Sequence, residues 1–282
     1  MAKKIYTGIG NVAREVDKSY LEVEKVARTV TRGYIGVDNV SRQCYSADIP
    51  VGELEIGSSV YISINGVPTE FFVVHQGLPD AEMYDNSCDG TWLLMRDIYN
   101  LKPWTTDAYP DNARVEKNYS VSTIHQYLNT SFLDLIDNGV QAIIRQAIIP
   151  YGIQLSSTKS EVFHGPNGVP AKIFLLSYRE LKELTTGSTF AKDGVRLAYF
   201  VEYGASVSST ADDSCVAYYN GEANAWWTRS GAYDAECVMS ISKSGASSPG
   251  GQSSPISKNH GVRPALILPS EVLVDYKFNV IT

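Results

Sequence analysis

A fourteen-residue repeat occupies the first 45 residues and is the strongest constraint that this sequence places on its own fold. Three ungapped segments agree at five positions: Tyr6, Tyr20 and Tyr34; Val12, Val26 and Val40; Ala13, Ala27 and Ser41; Arg14, Arg28 and Arg42; and Val16, Val30 and Cys44. A unit this short cannot bury a core by itself, so its sparse apolar residues need a neighbour or a partner. We therefore expect residues 1–45 to form an attachment or oligomerisation segment, with a flexible leader as the alternative.

The remainder, residues 46–282, has the composition of one globular domain. The whole chain is 44% hydrophobic and 20% charged, which fits a folded protein. Its net charge of −7 argues against nucleic acid as a partner, because phosphate binding needs clustered Lys and Arg. The first residues lack a continuous apolar stretch, so we expect neither a signal peptide nor membrane insertion. The cysteines (Cys44, Cys88, Cys215 and Cys237) are widely spaced, which predicts isolated thiols in a protein made in a reducing cytoplasm.

Hydrophobic spacing predicts an α+β domain after residue 50. Residues 60–65 and 69–76 flank Gly66-Val67-Pro68 and predict a hairpin, and residues 91–97 predict a third strand. Helices are predicted over 122–137 and 140–149, and a buried strand over 172–177. Ser177 and Glu180 form a capping box that opens a helix over 178–184. Side chains alternate over 237–242, which predicts a strand with one outward face.

The C-terminal part has two bulky boxes with a small, polar segment between them. The first box is WWTRS, from Trp226 to Ser230, and the second is GVRPAL, from Gly261 to Leu266. The intervening segment is rich in Ser and Gly, and residues 245–254 have no large side chain to bury. We expect the boxes, including Trp226, Trp227, Arg229 and Arg263, to support this segment from beneath. Arg263 is interpreted as a buried hydrogen-bond donor.

These boxes, with KIFLLSYREL and IHQYLN upstream, resemble a bacterial and phage domain family whose signature is WWLRS followed by GVRPAL. The resemblance covers roughly residues 50–270 and departs from the family at Thr228 and Gly231, where Leu and Pro are common. It implies a C-type lectin-like fold, as found in formylglycine-generating-type proteins. The N-terminal VAR repeats resemble segments of phage structural proteins that join a fibre or tail protein to the particle.

A subset of such domains is similar to the variable proteins of diversity-generating retroelements, of the major tropism determinant type. That resemblance implies a variable region over 226–268, in which adenine randomisation yields residues such as Ser, Asn, Asp, Tyr, His and Ala. The ligand-binding residues it implies are Ala232, Tyr233, Asp234, Ser240, Ser242, Ser244, Ser247, Ser248, Ser253, Ser254, Ser257, Asn259 and His260. An ordinary Ser/Gly-rich loop is the alternative.

The sequence offers little for catalysis, and we expect no cofactor, no catalytic residue and no metal. His75 and His125 fall in predicted elements, while His164 and His260 lack a neighbouring nucleophile. Asp212, Asp213 and Glu222 could bind calcium, but lectin calcium motifs are absent. Trp104 and Tyr218-Tyr219 could stack on sugars, although packing is the commoner role of such residues.

Together these features favour a non-catalytic receptor-binding protein of a phage or prophage tail, located in the virion. Its expected partners are a host-surface protein or glycan, and other virion proteins through residues 1–45. We also expect a homo-oligomer, with a trimer favoured. The alternatives are a carbohydrate- or protein-binding module on the bacterial surface, an enzyme with an unrecognised site, and a purely structural virion protein.

Overall fold

The computed structural model describes residues 48–106, 118–155, 159–182, 191–204, 211–232, 237–246 and 256–282, together with the strand backbone at 253–255 and within 6–46. In these parts the protein is α+β. Six N-terminal strands are β1 (Tyr6–Ile9), β2 (Val12–Glu15), β3 (Tyr20–Val23), β4 (Val26–Thr29), β5 (Arg32–Val37) and β6 (Val40–Ser46).

Each copy of the repeat forms one antiparallel β-hairpin. The pairs β1–β2, β3–β4 and β5–β6 have the same register, because the innermost partners are Ile9 with Val12, Val23 with Val26, and Val37 with Val40. The third hairpin extends further and contains a register shift between Gly33 and Tyr34. The sequence period therefore corresponds to one two-stranded unit. Two-stranded hairpins are only marginally stable alone.

The remaining strands range in length from two to ten residues. They are β7 (Ile49–Pro50), β8 (Ser59–Ile64), β9 (Val67–Gln76), β10 (Thr91–Met95), β11 (Asn100–Lys102), β12 (Ala147–Ile149), β13 (Tyr151–Gln154), β14 (Ser160–Phe163), β15 (Val169–Ala171), β16 (Ile173–Phe174), β17 (Tyr218–Tyr219), β18 (Glu222–Ala223), β19 (Trp226–Gly231), β20 (Cys237–Ile241), β21 (Ser253–Pro255), β22 (His260–Val262), β23 (Ala265–Leu268) and β24 (Leu273–Val274). The α-helices are α1 (Thr123–Tyr127), α2 (Asn138–Ile143), α3 (Tyr178–Leu181) and α4 (Ala198–Tyr203).

Two five-stranded sheets organise the body of the domain. The first has the order β16-β23-β10-β9-β8, and the second has the order β11-β22-β19-β20-β21. The segment from β22 to β23 passes directly from the second sheet to the first, so the GVRPAL box contributes strands to both. Four tryptophans, Trp92, Trp104, Trp226 and Trp227, are fully buried. All four belong to the hydrophobic core of the domain, in which aromatic side chains bury large apolar areas.

The predicted hairpin over 60–76 is confirmed, but the turn expected at Gly66-Val67-Pro68 is displaced, because β8 ends at Ile64 and β9 already begins at Val67. β8 pairs with β9 up to Ile64 and Val67, so Asn65 and Gly66 form a two-residue turn. Both residues have positive φ, 55° and 77°. This is the conformation that an Asn-Gly pair favours in tight hairpins. The predicted strand over 91–97 is also present, as β10 (Thr91–Met95).

The single helix predicted over 122–137 is wrong in its continuity. α1 is followed by a π turn (Leu128–Phe132) and a 3-10 turn (Leu133–Leu135). The side-chain amide of Asn129 donates to the His125 carbonyl (3.0 Å) and to the Ile173 carbonyl (2.9 Å). The second bond connects this turn to β16. Such side-chain bonds to a carbonyl four residues earlier compete with the helix ladder. The spacing of apolar residues did not reveal this competition.

Two other predicted elements are partly wrong. The helix over 140–149 ends at Ile143, and Ala147–Ile149 forms β12 against β15 instead. Short apolar runs of this kind do not distinguish helix from strand. The strand over 172–177 is reduced to β16 (Ile173–Phe174). The next two carbonyls bond to Arg229 of β19: the Leu175 carbonyl accepts from its guanidinium and the Leu176 carbonyl from its backbone amide.

The capping box is confirmed in both directions. The Ser177 side chain accepts from the Glu180 amide (3.2 Å), and the Glu180 carboxylate accepts from the Ser177 amide (2.7 Å). The helix it opens, α3, ends earlier than predicted, since Lys182 is already extended. Within the described residues, no helix has the length and apolar character needed to cross a lipid bilayer.

Candidate ligand-binding surface

The WWTRS box forms β19, and every one of its side chains is buried. The Trp226 indole N–H donates to the Cys215 carbonyl, and the Trp227 indole N–H donates to the Lys102 carbonyl, both at 2.8 Å. A third indole, from Trp104, donates to the Thr228 carbonyl at 3.0 Å. These bonds join the central strand to segments distant in sequence and satisfy indole groups whose burial would otherwise be costly.

Arg263 of the GVRPAL box is the buried hydrogen-bond donor that the sequence predicts. Its Nε donates to the Met95 carbonyl and its Nη2 to the Arg96 carbonyl, both at 2.9 Å. The guanidinium lies 4.9 Å from the centre of the Trp226 ring. Burial lowers the pKa of Arg263 to about 10, which leaves it charged at neutral pH. The side chain therefore holds two backbone segments against the central tryptophan.

Arg229 lies at the centre of a buried polar network. Its Nη1 and Nη2 donate to the two carboxylate oxygens of Glu180 at 2.7 and 2.5 Å, and its Nε donates to the Pro150 carbonyl at 2.6 Å. The Tyr84 hydroxyl donates to Glu180 as well, at 2.8 Å. Burial alone would lower the pKa of Arg229, but the Glu180 carboxylate more than offsets this effect. Arg229 thus has a structural role, as expected, whereas its pairing with Glu180 was not predicted.

A second carboxylate, Asp193, belongs to the same network. The Ser230 hydroxyl donates to its Oδ2 at 2.6 Å and accepts from the Tyr178 amide at 2.9 Å. The other oxygen, Oδ1, has no hydrogen-bond donor among the described residues. Burial raises the pKa of Asp193 to about 6. No sequence pattern marks Asp193, because it lies outside regular structure.

The predicted ligand-binding residues are divided between surface and interior. Ser244, Ser257 and Asn259 are exposed, and Ser242 and His260 are half-buried. Tyr233, Asp234, Ser247 and Ser248 lie outside the described residues, as do the side chains of Ser253 and Ser254.

Ala232 and Ser240 do not fit the predicted role, since they are 0% and 1% exposed. β20 lies between β19 and β21, and its residues from Val238 to Ile241 are all buried. The strand predicted over 237–242 is present, but its expected outward face is wrong: both faces are covered. Short and long side chains alternate along β20, but this alternation alone did not show whether one face of the strand is exposed or both faces are buried.

The exposed segment 257–259 is held at both ends. On one side, the buried Ile256 accepts a hydrogen bond at its carbonyl from the Trp104 amide (2.9 Å). On the other, His260 pairs with Lys102 in the β11–β22 ladder, and its ring lies 4.6 Å from the Trp227 ring. Burial lowers the pKa of His260, and the Lys258 charge lowers it further. Ser257, Lys258 and Asn259 are therefore exposed on a segment whose two ends are fixed.

A cleft of about 190 Å³ is lined in part by Lys102, the residue that pairs with His260. The Lys102 ammonium lies 4.2 Å from the centre of the Tyr127 ring, and the Tyr127 hydroxyl accepts from the Asn100 amide at 2.9 Å. The cleft is lined by Lys102, Pro103, Thr106, Thr123, Ile124 and Tyr127. Sequence reasoning missed it, because only the pairing of β11 with β22 brings it next to His260.

The turn after β20 lies at the same end of the second sheet. Ile241 and Gly261 both align with Trp226 on β19, one on each side. Two strand spacings separate them, or about 10 Å. In the turn, the Ser242 and Ser244 hydroxyls are 3.0 Å apart, and the Ser244 carbonyl accepts from the Asp212 amide at 3.0 Å. Ser242, Ser244 and residues 257–260 form what we call the polar rim.

Chemically reactive groups in the described residues are mostly buried or already paired. Burial lowers the pKa of His125 to about 4 and raises the pKa of the Cys88 thiol to about 12. Neither group therefore titrates near neutral pH. Asp212, suggested as a calcium ligand, bonds instead to Lys182 and Ser214. No cluster of three His, Cys, Asp or Glu side chains that could bind a metal occurs in the described part of the chain.

Two larger clefts lie elsewhere in the domain. One, of about 310 Å³, contains the Arg96–Glu70 ion pair (3.1 Å), in which both side chains are about one-third exposed. The other, of about 320 Å³, contains His164, whose Nδ1 is 3.2 Å from the Glu82 carbonyl oxygen. Trp104 and Tyr219 are buried or half-buried, and only Tyr218 of the aromatic residues considered for sugar stacking is exposed.

Comparison with protein families matches residues 89–270 to the domain of unknown function DUF6273. The chain belongs to this family. The matched region includes the capping box, both sequence boxes and the polar rim, whereas the N-terminal hairpins lie outside it. No curated protein matches the chain. No solved structure matches it either.

Proposed function

We propose that the chain is a non-catalytic receptor-binding protein of a phage or prophage tail, and that its polar rim contacts a host-surface protein or glycan. The observation that carries the proposal is the contrast around residues 257–259. Their side chains are exposed, while Ile256 before them and Gly261 after them are buried and fixed by backbone hydrogen bonds. Such a segment can change its side chains without changing the core beneath.

A C-type lectin-like fold is part of this proposal. It is supported by the WWTRS and GVRPAL boxes, which build adjacent strands of one sheet, and by the short strands and irregular connections around them. We further propose that the region over 226–268 is diversified. Support comes from the Ser, Asn and His residues of the rim, which belong to the set of residues that adenine randomisation yields.

The N-terminal hairpins supply the attachment function in this proposal. Three two-stranded units with a common register need further strands or another chain to cover them. Virion proteins, or other copies in a homotrimer, would provide that cover. Several copies on one particle would raise the avidity of weak individual contacts.

The test uses the full-length protein, fluorescently labelled, and a panel of intact bacterial cells. We expect the double variant Ser257→Ala/Asn259→Ala to lose binding to the recognised strain by at least about tenfold, which corresponds to about 1.4 kcal/mol. The control is Lys159→Ala/Ser160→Ala, at the exposed beginning of β14, and it should bind like the wild type. Equal binding by all three proteins would contradict the proposal.

The genome gives an independent test of diversification. We expect a near-copy of the segment coding for residues 226–268, differing at adenines, beside a reverse transcriptase gene. If binding is lost in the rim variant but no such copy exists, the rim is a fixed binding site. Burial of the rim in an interface between virion subunits would instead make the protein purely structural.

A further inference from the structure

A lysine and an aspartate contact each other in the interior, behind the turn that carries Ser242 and Ser244. The Lys182 Nζ touches the Asp212 Oδ2, and their side chains are 0% and 2% exposed. Lys182 directly follows α3, and Asp212 begins a 3-10 turn (Asp213–Cys215). Neither residue takes part in the Arg229 network or in the polar rim.

A charged lysine is poorly satisfied in this position. An ammonium group has three N–H donors, and among the described residues the Lys182 Nζ has one hydrogen-bond partner, Asp212. Leaving N–H groups of a buried cation unpaired is costly. A secondary amide nitrogen has only one N–H, so conversion of the pair to an amide would remove most of that cost.

The surroundings of Asp212 favour attack at its carboxyl carbon. Its Oδ1 accepts two hydrogen bonds from Ser214, from the amide at 3.0 Å and from the hydroxyl at 2.6 Å. Two donors on one carboxyl oxygen stabilise the negative charge that develops there when a nucleophile adds to the carbon. The other oxygen, Oδ2, faces Lys182 and lies 3.7 Å from the Cys215 sulfur.

We propose that Lys182 and Asp212 join through an intramolecular isopeptide bond. A proton first moves from the ammonium to Oδ2, which gives a neutral amine and a carboxylic acid. Nζ then forms a bond to the carboxyl carbon, and the bond from that carbon to Oδ2 breaks. A second proton from nitrogen goes to the leaving oxygen, which departs as water. The product is one amide with Oδ1 as its carbonyl oxygen, and no oxidant or cofactor is needed.

The cross-link would stabilise the part of the domain that carries the polar rim. It closes the chain from residue 182 to residue 212, and such closure lowers the entropy of the unfolded state. The Asp212 amide also donates to the Ser244 carbonyl at 3.0 Å. The covalent bond would therefore fix one end of the Ser242–Ser244 turn.

Mass spectrometry of the intact, fully denatured chain tests the proposal. We expect the wild-type protein to be lighter than its sequence mass by one water molecule. Proteolysis should yield a branched peptide containing both Lys182 and Asp212, which separates this bond from dehydration elsewhere. A wild-type protein at its full sequence mass, with Lys182 and Asp212 in separate peptides, would overturn the proposal.

Two variants sharpen the measurement. In Lys182→Arg the guanidinium keeps the charge but is a poor nucleophile, so this protein should have its full sequence mass. Asp212→Asn should form the same amide by losing ammonia rather than water, giving a product with the wild-type mass. A water loss that persists in Lys182→Arg would assign the missing water to another site and contradict the inference.

Discussion

The Glu180 carboxylate bonds at the same time to the Arg229 guanidinium and to the Ser177 backbone amide, with Oε2 receiving a hydrogen bond of 2.7 Å from each. One buried anion therefore caps α3 and neutralises the central cation of the second sheet. The N-terminal cap of α3 and the packing of β19 therefore depend on the same carboxylate, although the two elements are far apart in the sequence.

Removing the cation should strongly destabilise the protein. Arg229→Met leaves Glu180 buried without its charge partner, which costs about 3–5 kcal/mol in comparable pairs. Urea denaturation followed by circular dichroism measures this loss. The control is Arg96→Met, which breaks the half-exposed pair with Glu70 and should cost about 1 kcal/mol or less. Similar losses in the two variants would show that burial does not govern the strength of the Arg229 pair.

Asp193 should make the protein less stable as the pH rises, which is the opposite of the usual effect of a carboxylate. Because burial raises its pKa from 3.8 to about 6, the folded state binds its proton more tightly than the unfolded state. The contribution of this group to stability is therefore fully present below pH 4 and is lost as the pH rises through 6.

Asp193→Asn, which resembles the protonated acid, should stabilise the protein at pH 7 by about 3 kcal/mol and change little at pH 4. Thermal melts of both proteins across this pH range test the prediction. A constant difference between them at every pH would mean that Asp193 does not titrate in this window.

The turn after β20 should depend on Gly245. Its φ is +71°, and an added Cβ would lie 1.9 Å from the Asp212 carbonyl oxygen. We expect Gly245→Ala to cost at least about 2 kcal/mol, from strain at positive φ and from the steric clash. Gly221 has a similar φ of +82° but open space around it. Gly221→Ala should therefore lower the free energy of unfolding by only about 1 kcal/mol, from backbone strain at positive φ. Chemical denaturation of the two variants separates these effects.

The polar rim should tolerate large side chains that the adjacent strand does not. Ser257→Tyr should change the free energy of unfolding by about 0.5 kcal/mol or less, because the side chain is exposed. Ser240→Tyr should lower the free energy of unfolding by about 1–3 kcal/mol or more, because Ser240 is 1% exposed and an added ring overpacks the core. If Ser257→Tyr were as damaging as Ser240→Tyr, residues 257–259 would not be an exchangeable surface.

Local signals in the sequence predicted local structure well. The β8–β9 hairpin and the capping box both depend on residues close together in the sequence, and both are present. The hairpin turn was expected at Gly66-Val67-Pro68 but lies at Asn65-Gly66. The role of Arg263 as a buried hydrogen-bond donor was also predicted, whereas Arg229 was expected only as structural support.

Long-range pairing explains what the sequence did not reveal. The hydrogen bond between Asp193 and Ser230 and the strand pairing of Lys102 with His260 both join residues that are far apart in the sequence. Nothing in the spacing of these residues indicates such neighbours. Likewise, the burial of Ser240 follows from the position of β20 between two other strands, which a single strand pattern does not contain.

The shared register of the three N-terminal hairpins has a consequence for how such chains diverge. Among the described strands, each unit pairs within itself, so a duplication or loss of one whole unit leaves the other described pairs intact. The length of the N-terminal segment can thus be inherited in discrete steps, independently of mutations in the domain that follows.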